Sequence, residues 1–203
     1  MRYSFASLII VGCFTLVGAS GAEELRVGID GDYPPFSYVE NGNLAGFEVD
    51  LSKALCEQLA VRCQLVHHGW ENILPDLEAK KYDIVVASVS ITTQRRYWVD
   101  FSNKYYSTPS RFVRRKGSNI EITGDSLKNK SVGVVLDSVQ DTYVTDLYNH
   151  MLKIKRYVDH TTLLNSFQKG ETDLIVGDEI ALLTGLLRVP EGKDFEFIGP
   201  KLN

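Results

Sequence analysis

Arg95 stands at the end of an unusual run. Four apolar residues in a row, Ile84–Ala87, are followed by the hydroxyl side chains of Ser88, Ser90, Thr92 and Thr93, and then by two arginines. An unbroken apolar run is the pattern of a strand covered on both faces. Core packing gives no reason for it to deliver hydroxyls and a guanidinium at its carboxyl end. Binding a small polar anion does, because the planar guanidinium fork matches a carboxylate through two parallel hydrogen bonds. Asp178 closes a second run of this kind, "DLIVGD". A carboxylate there can cap the next helix, or it can meet an ammonium group. Arg95 and Asp178, carried on opposite lobes, would read the two ends of an amino-acid zwitterion.

Other side chains invite either a structural or a binding role. Asp30 ends the stretch "LRVGID", where it suits a turn or a distal positive charge. Tyr33 lies in the rigid loop "DYPPF", and Trp70 follows Gly69 at a helix start. Aromatic rings are core residues more often than ligand walls, but these two could flank an aliphatic or cationic side chain. His67 and His68 are adjacent on a predicted strand and so point to opposite faces. Neither has a Cys or carboxylate at ligand spacing, so no metal site is expected. The sequence carries no nucleophile elbow, phosphate-binding loop or dinucleotide fingerprint, and no cofactor is expected.

These residues must be positioned by alternating elements. Strands are predicted at "LRVGI", "RCQLVHH" and "YDIVVAS", with helices over "EVDLSKALCEQLA" and "ENILPDLEAKK" between them. Leu51, Leu55 and Leu59 recur at helical spacing in the first helix. Asn41-Gly42 between two extended pieces predicts a hairpin. After Lys116-Gly117 the series restarts, with strands at "SVGVVL", "KIKRYV", "DLIVGD" and "FEFIG" and helices at "SVQDTYVTDLYNHM", "TTLLNSFQKG" and "EIALLTGLL". Ser138 and Asp141 have the spacing of a capping box. Strands alternating with helices imply parallel sheets covered on both faces. The fold class read from this is α/β in two lobes, 23–110 and 111–203, separated near 107–117. In open sheets of this kind ligands sit beyond the carboxyl ends of the strands. Asp30, Ser88 to Arg95, "LDSVQ" and Asp178 all lie there.

The net charge of −4 is spread along the chain, and no basic patch with interleaved aromatics marks a nucleic-acid partner. The first 22 residues carry Arg2, an apolar core and the small residues "GASGA", as a secretory signal peptide does. A lipoprotein box at "IVGC", with Cys13 as anchor, is the lesser alternative, since the apolar core continues past it. Export leaves Cys56 and Cys63, an even pair that reads as a disulfide in an oxidising compartment.

The stretches "DYPPFSYVENGNLAGFEVDL", "ALCEQLAVRC", "WENILPDLEAKKYDIVVASVSITTQRR", "VDFSNKYY" and "DLIVGDE" together resemble the periplasmic amino-acid-binding proteins of ABC importers, solute-binding protein family 3. The likeness is greatest to the group that binds lysine, arginine, ornithine, histidine, glutamine and opines, and it extends over nearly all of the chain after the signal peptide. The resemblance implies a type II, two-lobed fold hinged around a central cleft. It implies that Arg95 clamps the ligand carboxylate with Ser90 and the backbone at Val139. Asp178 would take the ammonium with Ser88 or Ser90, Tyr33 and Trp70 would sandwich the side chain, Asp30 would meet its far end, and Gln140 would lie at the rim. Cys56 and Cys63 match a disulfide of the basic-amino-acid binders. Val139 replaces a usual Thr, Ala87 a Ser and Trp70 a commoner Phe. Family members run on past "FIGP", so part of lobe one is expected to be missing.

The function implied is a monomeric periplasmic receptor that binds a polar or basic L-amino acid and presents it to a membrane permease. A cyclohexadienyl-type dehydratase of the same fold, recruiting Glu71 or Glu179 as acid, is the enzymatic alternative. A truncated sensor is the third.

Overall fold

The computed structural model describes residues 24–202; the expected signal peptide and Cys13 lie outside them. The chain starts with β1 (Glu24–Asp30). It then forms a small antiparallel sheet from β2 (Asp32–Tyr33), β3 (Ser37–Glu40) and β4 (Asn43–Ala45). Asn41 and Gly42 both have positive φ (51° and 80°), as the tight turn of a two-residue hairpin requires. α1 (Phe47–Leu59) follows directly. Its entry needs Gly46, which has φ 114° and whose missing Cβ would lie 2.5 Å from the Phe36 carbonyl oxygen.

β5 (Arg62–His68), a 3-10 turn at Trp70–Asn72, α2 (Ile73–Glu78) and β6 (Ile84–Val85) complete the first lobe as seen here. β1 lies between β5 and β6, parallel to both. One expectation changes. The predicted strand "YDIVVAS" pairs only over Ile84–Val85, and Tyr82 just before it is buried, its phenol donating to the Ile73 carbonyl at 2.5 Å. The helix predicted from the leucine spacing forms, and Leu51 packs on the core of this lobe. Glu48, Val49, Ser52 and Cys56 are buried, whereas Leu55 and Leu59 stand 41% and 62% exposed.

An irregular segment, 101–109, leads to β7 (Ser110–Arg115). After it come α3 (Gly124–Leu127), β8 (Ser131–Val135), α4 (Val139–Tyr148), β9 (Lys153–Tyr157), α5 (His160–Gln168), β10 (Leu174–Asp178), α6 (Glu179–Leu182) with a π turn to Leu187, and β11 (Phe195–Leu202). The sheet order is β11-β7-β10-β8-β9. It is mixed, not wholly parallel: β8, β9 and β10 run together, while β7 is antiparallel to β10 and to β11. The stretch read as a separator, 107–117, therefore contains a central strand of the second sheet.

The core of this lobe follows the two-residue alternation of its strands. Phe112, Val132, Val134, Leu174 and Val176 pack with Val144 of α4 on one face. Val113 and Ile175 pack with Leu163, Phe167 and Leu182 on the other. Ser138 caps α4 as predicted, its Oγ accepting from the Asp141 amide at 3.0 Å. Cys56 and Cys63 are joined as a disulfide between the end of α1 and the start of β5, with Cα atoms 5.9 Å apart.

Candidate ligand-binding cleft

The parallel strands of both lobes direct their carboxyl ends at one cavity. Asp30 ends β1, Trp70 follows β5, and Ser88, Ser90 and Arg95 follow β6. From the second lobe Val139 and Gln140 begin α4 after β8, and Asp178 ends β10. Tyr33 of β2 completes the nine residues singled out from the sequence. The structure brings all nine to the wall of this one cavity.

Bonds cross between the lobes. The Tyr33 phenol donates to Asp178 Oδ2. Trp70 Nε1 donates to the Leu136 carbonyl at 2.9 Å. Arg95 spans the gap, with Nη1 donating to the Ser90 carbonyl at 3.0 Å and Nη2 to the Asp137 carbonyl at 2.9 Å. A guanidinium has five N–H donors, so three remain for a carboxylate. The Arg95 guanidinium also lies over the Trp70 ring, 5.5 Å from its centre.

Asp178 occupies the N-cap position of α6, but its side chain makes no capping bond. Its oxygens accept from Tyr33 and, at 3.0 Å, from Gln140 Nε2, which also donates to Ser110 Oγ at 2.8 Å. The capping reading of Asp178 is thus replaced by one in which its carboxylate is held toward the cavity. Burial raises its pKa, against the lowering effect of those two bonds. Asp30 is 6% exposed, and burial raises its carboxyl to about 7, with only the Asp32 amide bond opposing. Burial likewise lowers the pKa of Arg95 and raises that of Tyr33.

The sequence reading missed three contributors. His160, the first residue of α5, is 4% exposed and meets the Tyr33 ring edge to face at 5.2 Å, with burial lowering its pKa to about 4. Ser110 anchors Gln140 from β7. Glu48 is fully buried behind Ser88. His160 follows a strand end and was findable by that rule. Ser110 and Glu48 reach the site through long-range contacts that no local spacing encodes. Ser88 itself holds a left-handed backbone, φ 52°, a conformation costly for a non-glycine residue and common at binding sites.

The model of the bacterial extracellular solute-binding proteins, family 3, matches residues 25–176. The chain belongs to this family. The L-arginine-binding protein of Pseudomonas aeruginosa is 37% identical over 180 residues, covering 88% of this chain and 70% of the relative. The lysine/arginine/ornithine-binding periplasmic protein of Escherichia coli is 35% identical, covering 98% and 78%. Among solved structures, an ancestral arginine-binding protein bound to arginine superposes with a TM-score of 0.82 at 30% identity, covering 89% of this chain and 80% of the other. The type II two-lobed α/β fold of the family is the fold described above. The matched relatives are binding proteins, which favours a receptor over the dehydratase alternative. Among the described residues no helix is long and apolar enough to cross a membrane.

Proposed function

We propose that the cleft binds a polar or basic L-amino acid, arginine-like before glutamine or an opine, and that the closed receptor presents it to the permease of an ABC importer. The observation that carries this reading is the charge count of the cavity wall. Two carboxylates, Asp30 and Asp178, face one guanidinium, Arg95. A basic amino acid carries the mirror image, two cations and one carboxylate. Each charge buried on closure then gains a partner, without which its desolvation would be costly.

In this reading Arg95 receives the α-carboxylate, with Ser90 and the amide at the start of α4, at Val139, as further donors. Asp178, held by Gln140, accepts the α-ammonium with Ser88. Tyr33 and Trp70 flank the stem, and Asp30 meets the distal cation. Lobes 23–110 and 111–203 act as the closing units, with the irregular segment 101–109 as one crossing. The receptor acts as a monomer in this reading, and its capture of ligand in the periplasm fits the periplasmic naming of the Escherichia coli relative.

Calorimetric titration with arginine, glutamine and glutamate tests this. Arginine should bind tightest to the parent protein, and Asp30→Asn should erase its preference over glutamine. Tightest binding of glutamate, or an Asp30→Asn protein with its cation preference intact, overturns the assignment.

A further inference from the structure

Glu48 is 0% exposed, and its partners are uncharged. Oε2 accepts from Ser37 Oγ at 3.1 Å. Oε1 accepts from three donors: the Ser88 amide, Ser88 Oγ at 2.8 Å and the Tyr105 phenol at 2.6 Å. The carboxylate sits in the first turn of α1, whose amide end favours negative charge. It thereby ties together the hairpin, α1, the loop after β6 and the crossing segment.

The consequence for the cleft lies in the Ser88 hydroxyl. It has one proton and two acceptor positions. The proton goes to Glu48, away from the cavity. The two acceptor positions are left, on a residue that lines the cavity. A hydroxyl free to rotate could donate or accept; this one presents a lone pair. The amide bond to the same carboxylate holds Ser88 in its left-handed backbone, so that both direction and position are set by Glu48.

We infer that Glu48 is a positioning residue that fixes the Ser88 hydroxyl as a hydrogen-bond acceptor for the ligand's α-ammonium, making the cleft selective for amino acids over their deamino analogues. This rests on the proposed amino-acid reading of the cleft. It adds a selectivity exerted from a residue that lines no part of the cavity wall.

The test is a double-mutant cycle read with two ligands, L-arginine and δ-guanidinovalerate, the arginine analogue without the α-ammonium. Ser88→Gly is the variant of choice at that position, because glycine accepts a positive φ without strain. Glu48→Gln keeps the shape of the side chain. Each single variant should weaken arginine about tenfold to a hundredfold, the range of one hydrogen bond to a charged group. The double variant should lose no more than the worse single, because both act through one bond. Binding of δ-guanidinovalerate should change by less than about threefold throughout. Glu48→Asp, which keeps the charge but draws it back by one methylene, serves where Glu48→Gln is unstable and should give the same ligand-selective loss. Equal losses for both ligands, or additive losses for arginine, overturn the inference and leave Glu48 a structural residue. A parent protein that does not bind arginine overturns instead the ligand reading on which it rests.

Discussion

Tyr33 and Asp178, 145 residues apart, meet across the cleft, with the phenol donating to a carboxylate oxygen. That carboxylate is the group proposed for the ligand's ammonium, so tyrosine and ligand compete for one acceptor. The bond joins the lobes, and it belongs to the same set as the Trp70–Leu136 and Arg95–Asp137 contacts.

Tyr33→Phe should therefore loosen the ligand-free closed state. One hydrogen bond is worth about 1 kcal/mol net, a shift of roughly fivefold in a lobe-opening equilibrium. Small-angle scattering should show a larger radius of gyration for the ligand-free variant and an unchanged one at saturating arginine. Identical scattering curves without ligand would mean the bond does not hold the lobes.

Arg95→Lys should weaken arginine binding by about a hundredfold or more, because lysine keeps the charge but loses the fork that bonds both a carboxylate and the two carbonyls. Calorimetry reads it directly. A loss of less than about threefold would place the carboxylate clamp elsewhere.

Binding of a cationic ligand should depend on pH through Asp30. Burial raises this carboxyl to about 7, against about 3.9 when exposed. Between those values the folded, empty protein holds a proton that the unfolded chain has lost, so this group's contribution to stability declines as pH rises from about 4 to about 7. A guanidinium beside Asp30 favours the ionised form and expels the proton. Arginine affinity should fall as pH drops below about 7, and titrations near pH 6 in buffers of different ionisation enthalpy should show close to one proton released. Affinity that stays flat across this range would separate Asp30 from the ligand.

Reduction of the Cys56–Cys63 bond should lower the melting temperature and spare binding. The bridge closes a short loop at the amino-terminal end of β5, while the cleft lies at its carboxyl end. A loss of about 2–3 kcal/mol corresponds to roughly 5–10 °C in a chain of this size. Scanning calorimetry with and without reductant, paired with an arginine titration, measures both parts, and lost binding in a folded reduced protein would contradict the second.

The alternation of strands and helices made the α/β class and the strand-end site legible in the sequence. Arg95, Asp178 and Asp30 could be picked out because polar groups at the ends of apolar runs have few structural uses, and the Asn41-Gly42 and Ser138 signals are local chemistry that tertiary context did not override. Strand direction was not legible. The antiparallel pairing of β7 with β10 and β11 joins segments about sixty and eighty residues apart, and side-chain alternation is the same in either direction. The buried side of α1 was not legible for a related reason: helical period defines stripes, but only the packed neighbours decide which stripe is covered. Inside the cleft, residue types were set by the sequence alone, whereas their protonation and the direction of their hydrogen bonds were not. Burial raises Asp30, Tyr33 takes the free oxygen of Asp178, and Glu48 turns the Ser88 hydroxyl, because desolvation and donor geometry exist only once distant segments have come together.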